Sequence, residues 1–272
     1  MIRGLSSLNN NNAQSSCGDK IKAYWASIPL ITKTIFSTTV ILYLLSFMDI
    51  FAIIIGYLLN VPYETLYSFR IWTIATTMFV ITNLLNVIFA MMSWMPRAII
   101  AEKQVGSMKY LLTTMTFSML IQVLFILLMI VLSEIFGKSF LYESSNGLWP
   151  LILCEITIHC NENPDAEITI FFLPCPITSK YYPWILVGFC TLLNNFIIKY
   201  DVICGLLFGY IYMYKLKDHL DFKLDFIIKC ERSAIFRWMQ GCTGYVPFDN
   251  NNSSSGFTVI APSESNRHEV RL

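Results

Sequence analysis

The chain has 272 residues, of which 55% are hydrophobic and 14% are charged, with a mean hydropathy of +0.56. Soluble domains carry about 25% charged residues, so this composition predicts a membrane protein. The formal net charge of +1 argues against the basic surface that nucleic-acid binding needs. The eight cysteines form no CxxC pair, and Cys154, His159 and Cys160 lack the spacing of metal ligands. We therefore expect neither a metal nor a cofactor.

The first 19 residues are rich in Asn and Ser and contain no apolar signal-peptide core. We expect residues 1–19 to form a disordered tail. Without a cleaved signal, the first membrane span would act as the targeting signal. In a eukaryotic cell this predicts insertion at the endoplasmic reticulum.

Six apolar segments are candidate membrane spans, within a membrane domain over residues 20–218. Their approximate ranges are 31–48, 73–95, 110–133, 145–160, 182–198 and 201–215. A helix of about 20 apolar residues crosses a bilayer. The stretch 50–63 is apolar but shorter, and we interpret it as interfacial or re-entrant. The sequence predicts an all-α membrane protein with six transmembrane helices.

The basic residues are distributed unevenly about these six segments. Of the 19 Lys and Arg residues, only Arg70, Lys138 and Lys199 fall on one side of the predicted membrane. Cytosolic loops carry the excess of Lys and Arg in membrane proteins. Both termini are therefore predicted to be cytosolic.

Two features are predicted near the C-terminal end of the membrane domain. Gly205 and Gly209 lie one helical turn apart in the sixth segment, a spacing that lets another backbone approach closely. Residues 219–240 alternate charged with apolar side chains and predict a basic amphipathic segment on the membrane surface. The Asn- and Ser-rich range 241–272 is expected to be disordered.

Short motifs in a fixed order resemble the rhomboid superfamily over roughly residues 24–215. The motifs are Trp25 with Ser27-Ile28-Pro29 and Thr32, Arg70 to Thr73, Val87 to Met92, Glu102 with Gly106-Ser107, Tyr182 to Trp184, and Cys204-Gly205 with Gly209. Cys242-Thr243-Gly244 is similar to the tail of a eukaryotic rhomboid-like subgroup, and the chain also resembles derlins. The resemblance implies a rhomboid-like bundle of six transmembrane helices with both ends cytosolic.

Active rhomboids are intramembrane serine proteases, and the resemblance implies where their catalytic positions would lie. The nucleophile corresponds to Ser145, in a segment without the two glycines that flank it in the family. The general-base histidine corresponds to Val202, which follows Asp201. The two oxyanion-binding positions correspond to Asn86 and Ala90.

A serine hydroxyl becomes a good nucleophile when a base within about 3 Å takes its proton. His159 lies 14 residues beyond Ser145 in the same predicted helix, which is about 21 Å along the helix axis. His219 and His268 lie beyond the sixth segment. Asp201 remains as a candidate base, although a lone carboxylate near hydrocarbon tends to be protonated. We therefore interpret Ser145 as the N-cap of the following helix.

Other polar residues fall within the apolar segments. Glu155 is either an intramembrane functional residue or an interfacial one, and its position near a cytosolic helix end favours the interface. The asparagines are expected to bond between helices rather than to hold a ligand. They are Asn83, Asn86, Asn194 and Asn195.

The missing histidine makes a non-catalytic rhomboid-like protein, a pseudoprotease, the leading functional hypothesis. Such a protein would bind transmembrane segments of client proteins and retain them, escort them or deliver them to degradation machinery, in the endoplasmic reticulum or Golgi. The alternative is an active intramembrane serine endopeptidase with Ser145 as nucleophile. A transporter or channel is less well supported, because ionisable residues are nearly absent from the segments. The expected partners are membrane lipids, client segments and degradation machinery.

Overall fold

The computed structural model describes residues 17–170, 173–217 and 224–247. Within these ranges the chain is mostly helical. The α-helices are α1 (Cys17–Ser27), α2 (Leu30–Leu45), α3 (Asp49–Gly56), α4 (Pro62–Tyr67), α5 (Thr73–Thr76), α6 (Leu84–Val105), α7 (Ser107–Phe136), α8 (Trp149–Glu162), α9 (Tyr182–Leu193), α10 (Tyr200–Ile211), α11 (Leu224–Arg232) and α12 (Ala234–Gln240). Shorter 3-10 turns occupy Thr77–Phe79, Lys138–Tyr142 and Ser179–Tyr181, and a π-helical turn, Tyr212–Leu216, continues α10.

Helices occur in all six predicted segments, but the range predicted for the second one is wrong. Helix α6 runs over Leu84–Val105 instead of 73–95, and Gly106 alone separates it from α7. The side chain of Asn83 caps α6 by accepting a hydrogen bond from the Leu85 N–H. Further upstream, the hydroxyls of Thr76 and Thr77 bond to the Leu58 carbonyl and hold that segment against a loop.

Within the described ranges, two helices, α6 and α7, are long and apolar enough to cross a membrane by length and composition. Helices α8, α9 and α10 have 14, 12 and 12 residues, or about 18 to 21 Å, against a hydrocarbon core of about 30 Å. Helix α9 ends before residue 198 because Asn195 and Phe196 adopt positive φ. The count of six spans and the cytosolic termini therefore stay predictions.

The predicted interfacial stretch 50–63 contains most of α3 and the start of α4. The α3 side chains Ile50 and Ile53 are exposed. An apolar helix with exposed aliphatic side chains is compatible with a place at a membrane surface.

A β-hairpin between α8 and α9 was not predicted from the sequence. Its strands are β1 (Glu167–Ile170) and β2 (Leu173–Thr178), which pair antiparallel with Glu167 opposite Thr178. Strand β2 contains Pro174 and Pro176, and proline argues against a strand in a sequence-based assignment. The all-α description holds for the helical bundle and not for this connection.

Helix α8 lies at the centre of the bundle, with every side chain from Trp149 to Ile158 buried. Helix α10 packs closely against α8 through its two glycines. A Cβ placed on Gly205 would lie 2.0 Å from the Pro150 carbonyl oxygen, and one on Gly209 would lie 2.7 Å from the Thr157 Cβ. These separations are shorter than van der Waals contact, so this approach of α10 to α8 requires glycine at both positions.

One buried carboxylate, Glu102, stands at the start of both α2 and α7, which have no side-chain N-cap of their own. It accepts hydrogen bonds from the N–H groups of Ile31 and Thr32 at 2.9 and 2.8 Å and from the Thr32 hydroxyl at 2.8 Å. The Ser107 hydroxyl donates to it at 2.6 Å. Two separate motifs of the sequence, the one that contains Thr32 and the one that contains Glu102 and Ser107, thus meet here, and we call this place the Glu102 end of the bundle.

Short parts of both predicted tails fall within the described ranges. Helix α1 begins at Cys17, within the range 1–19, and the Gly244 carbonyl accepts a 2.9 Å hydrogen bond from the Leu30 N–H. Residues 1–16 and 248–272 lie outside the described ranges. The predicted surface segment 219–240 contains α11 and α12, whose side chains Ile227 and Met239 are buried. This segment therefore packs against the protein as well as presenting charged residues.

Candidate functional site

Ser145 lies in the loop before α8, where the main chain pairs with a distant segment. Its N–H donates to the Asn60 carbonyl at 2.9 Å. Gly147, at a φ of +83°, donates its N–H to the Thr77 carbonyl at 3.1 Å, and glycine adopts this conformation without the penalty of a Cβ. These bonds fix the loop inside the bundle, where Ser145 is fully buried.

The Ser145 hydroxyl lies between two polar side chains from different helices. It is 3.2 Å from Oδ2 of Asp201, in the first turn of α10, and donates to that oxygen. It accepts a 2.9 Å hydrogen bond from Nε2 of Gln122, in the middle of α7. Three elements that are distant in sequence meet at this hydroxyl.

The Asp201 carboxylate is also held by main-chain groups. Oδ2 accepts from the Asn146 N–H at 3.1 Å, and Oδ1 accepts from the Val202 N–H at 2.8 Å. Asp201 is 1% exposed. Its acceptor positions are thus occupied by groups of its own helix and of the Ser145 loop.

The hydrogen bonds continue from Gln122 toward the segment after α3. Gln122 Oε1 accepts from Nδ2 of Asn60 at 2.8 Å, Asn60 Oδ1 accepts from the Thr65 hydroxyl at 2.9 Å, and Thr65 lies 3.2 Å from the Thr73 hydroxyl. We call the connected residues the buried polar cluster: Asn60, Thr65, Thr73, Gln122, Ser145 and Asp201. All of them are buried. Polar groups inside a membrane domain must find partners within the protein, and this cluster provides them.

Two requirements of serine-protease chemistry can be compared with this geometry. A nucleophile must be reachable by a substrate, whereas Ser145 has no exposed surface. It also needs a base that is free to take its proton. His159 lies in the last turn of α8, at the opposite end from Ser145, while His219 and His268 lie outside the described ranges. The cluster joins α7, α10 and the Ser145 loop through hydrogen bonds.

The position predicted from the family for the general base is Val202, an apolar residue. Val202 is buried in the apolar core, and the preceding residue, Asp201, extends its side chain to the serine instead. The prediction that Ser145 is an N-cap is wrong, because α8 begins at Trp149 and has no side-chain cap. Pro150, the second residue of α8, has no N–H group. It therefore suits the first turn of a helix, where the N–H groups have no partner within the helix.

The two predicted oxyanion positions lie on α6 and are not bonded to Ser145 in the described structure. Nδ2 of Asn86 donates to Oδ1 of Asn194 at 3.2 Å, which joins α6 to the end of α9. Ala90 is fully buried. Glu155 is buried within α8, and no hydrogen-bond partner of its Oε1 is found among the described residues.

Asn60 and Gln122 were not predicted as members of a site. Gln122 is the one amide side chain in the uncharged stretch 110–133. A lone amide in such a stretch indicates an interhelical hydrogen bond. Asn60 lies in the segment interpreted as interfacial, where a polar residue carries no such signal. Its role depends on the loop folding back under Ser145, which the sequence does not reveal.

Two comparisons with known proteins agree with these motifs. Rhomboid-like protein 15 of Arabidopsis thaliana is 24% identical to the chain over an alignment 268 residues long. The aligned part is 88% of this chain and 63% of that protein. The chain therefore spans less than two thirds of that relative. The family described as eukaryotic integral membrane protein (DUF1751) matches residues 33–241.

The motifs, the helical bundle and this similarity define a class: the protein is a rhomboid-like integral membrane protein. Within that class it belongs to the DUF1751 family of eukaryotic integral membrane proteins. The residues that the family matches include the whole of the buried polar cluster and Glu102.

Proposed function

We propose that the protein is a catalytically inactive rhomboid-like protein that binds transmembrane segments of client proteins for retention, trafficking or degradation. The loss of catalysis is inferred from the environment of Ser145. Its hydroxyl is fully buried and is bonded to both Gln122 and Asp201. Exposing it to a substrate would break both hydrogen bonds, each of which contributes about 0.5 to 1.5 kcal/mol.

The contact between Ser145 and Asp201 is also the one observation that favours an active serine protease. In that second candidate function, Asp201 would take the serine proton in place of a histidine. Asp201 already accepts main-chain N–H groups of Asn146 and Val202. We therefore assign it to holding the loop and α10 together.

A serine-directed fluorophosphonate probe applied to the purified full-length protein distinguishes these two functions. We expect no labelling, with an active rhomboid protease labelled in parallel as the positive control. Labelling that disappears in Ser145→Ala would establish the protease instead, and Asp201→Asn would then test the base.

Client binding is supported by the place where α6 meets the end of α9. The rings of Phe89 and Phe189 are in edge contact at 5.2 Å, and Asn86 is bonded to Asn194. Oδ1 of Asn86 is buried and has no partner among the described residues. Opening of this contact between α6 and the end of α9 would uncover the acceptor, beside exposed side chains such as Leu85, for a hydroxyl or amide donor on a client helix.

Site-specific photocrosslinking in membranes tests this surface. The crosslinker is placed at Leu85 of α6, and at Leu127 of α7 as a matched control, since these side chains are 51% and 55% exposed. We expect client adducts at position 85 alone, and fewer of them when Asn86→Leu is added. Equal adducts at both positions, or adducts that ignore Asn86→Leu, would contradict binding at this face.

The compartment belongs to the same proposal. Clients awaiting retention or degradation are found in the endoplasmic reticulum and Golgi, and we propose one of these membranes as the site of action. Imaging of the tagged full-length protein against markers of both organelles tests it, and a signal confined to another membrane would contradict it.

A further inference from the structure

We propose that residues 242–247, which we call the strap, act as an intramolecular ligand that closes the Glu102 end of the bundle and opens as a unit separate from the helices. Two main-chain bonds hold the strap between α2 and α7. The Leu30 N–H donates to the Gly244 carbonyl, and the Ser107 N–H donates to the Val246 carbonyl, each at 2.9 Å. In return, the Val246 N–H donates to the Ser107 hydroxyl at 3.0 Å.

These bonds supply what both helices lack at their first residues. The first N–H groups of an α-helix have no partner within the helix, and the residues before α2 and α7 are Pro29 and Gly106, which provide no side-chain cap. Glu102 serves the second and third N–H groups of α2. The strap serves Leu30 and Ser107, the first N–H group of each helix. Strap and carboxylate together cap two helices.

The strap fits this place by shape as well as by hydrogen bonding. Gly244 adopts a φ of +92°, and a Cβ there would lie 3.1 Å from the Ile28 carbonyl oxygen. Pro247 follows Val246 and restricts it to extended conformations. The site therefore accepts an extended segment with glycine at the position that faces Ile28.

A side-chain bond ties the strap to α11. The Tyr245 hydroxyl donates to the Glu231 carboxylate. Partial burial and this carboxylate raise the pKa of Tyr245 well above its ordinary value, so the hydroxyl keeps its proton and remains a donor. The C-terminal helices are thus coupled to the start of α2 and α7 through one short segment.

Opening the strap requires breaking a few main-chain bonds and the contact of Tyr245 with the core, but less buried packing than in the helices of the bundle. Gly244, Tyr245 and Val246 are only half-buried, whereas α8 is buried throughout Trp149–Ile158. Segments with few buried apolar contacts open at a lower free energy than the core. We therefore infer that the strap is released, and the ends of α2 and α7 are uncapped, while the bundle stays folded.

Hydrogen exchange of the full-length protein in lipid nanodiscs tests this inference. Val246→Pro removes the N–H that bonds to Ser107, and Val246→Ala retains it and is the matched control. We expect the amides of Leu30 and Ser107 to exchange about tenfold faster in Val246→Pro, as for the loss of one or two hydrogen bonds. The amides of Leu151 to Ile158 should be unchanged, and Val246→Ala should exchange like the wild type.

Unchanged exchange at Leu30 and Ser107 would overturn the proposal. So would an equal increase in α8, because the strap would then be part of the global fold rather than a separate unit. If Val246→Pro does not yield folded protein, Gly244→Ala serves as the second variant. Its Cβ presses on the Ile28 carbonyl, so Leu30 should exchange faster with α8 unchanged, and unaltered exchange at Leu30 would again overturn the proposal.

Discussion

Asp201 shows how a single carboxylate organises this protein at the scale of residues. Its two oxygens accept from the Ser145 hydroxyl and from the main chain at Asn146 and Val202. The Ser145 hydroxyl and the Val202 N–H are buried with it and the Asn146 N–H is partly buried, and each of them donates a hydrogen bond to Asp201. A carboxylate in a membrane domain is expensive unless such donors surround it, and here they do.

Replacing this carboxylate should destabilise the fold. In Asp201→Ala the Ser145 hydroxyl and two N–H groups lose their acceptor, and we expect the free energy of unfolding to fall by about 3 kcal/mol or more, since each of the three unpaired donors costs about 1 to 3 kcal/mol. Thermal unfolding in detergent measures the change. Ser145→Ala is the comparison: it leaves the main-chain donors of Asp201 satisfied and should cost less. An Asp201→Ala variant as stable as the wild type would contradict the structural role of the cluster.

At the scale of elements, the closest packing in the bundle is between α8 and α10. The approach depends on Gly205 beside the Pro150 carbonyl and on Gly209 beside Thr157. Helix α9 also contains a glycine, Gly188, but a Cβ there would meet nothing within 4 Å. Replacing glycine by alanine in α10 and in α9 therefore compares the same substitution in tight and in open surroundings.

We expect Gly205→Ala to destabilise the protein, by the roughly 1 to 3 kcal/mol or more that overpacking costs, because its Cβ would displace backbone rather than a mobile side chain. Gly188→Ala should be neutral or should stabilise by up to about 1 kcal/mol through helix propensity. Unfolding midpoints of the two variants in the same detergent provide the measurement. Equal midpoints would mean that α8 and α10 separate without cost.

The sequence predicted some of these elements well and others poorly, for identifiable reasons. Apolar segments located α2, α7, α8 and α10, because hydropathy reports burial in lipid or protein directly. The start of α6 was misplaced by about ten residues. Thr76 and Thr77 are uncharged and lie in an apolar stretch, so the sequence placed them in a span, whereas their hydroxyls bond to the Leu58 carbonyl in a separate segment. Residues 145 and 201 were both identified, but their contact depends on tertiary structure.

The strap and the rest of the cluster were beyond prediction for a different reason. Their bonds join residues far apart in the chain: Val246 and Ser107 are separated by 139 positions, and Asn60 and Gln122 by 62. Composition and periodicity describe neighbours within one element and carry no information on such pairs. A glycine-containing tail rich in polar residues therefore predicted disorder, although part of it caps two helices.

For the whole molecule, the distribution of charge predicts which side of the membrane each loop faces, and the fold adds the positions of the loops. With only Arg70, Lys138 and Lys199 on one side, both ends of the chain and the Glu102 end should face the cytosol. The β-hairpin follows the C-terminal end of α8 and should lie on that same side. The 3-10 turn that begins at Lys138 should lie on the other.

Glycosylation mapping in microsomes tests this orientation. An acceptor sequence inserted next to Lys138 should be modified, and one inserted in the β-hairpin should remain unmodified. The hairpin is the better site for the cytosolic insertion, because Gly106 is the whole connection between α6 and α7 and leaves no loop there. If the hairpin acceptor alone were modified, the topology would be the inverse of the predicted one.

The buried polar cluster also has a consequence for biosynthesis. The chain is made from the N-terminus, so Asn60 and Gln122 enter the membrane before Ser145 and Asp201, which follows Ser145 by 56 positions. Until α10 is inserted, the Ser145 hydroxyl and the Asn146 N–H lack their acceptor, Asp201, and an unpaired polar group is costly in lipid. A ribosome-bound intermediate that ends before residue 201 should therefore stay associated with the insertion machinery, and release should coincide with the arrival of α10.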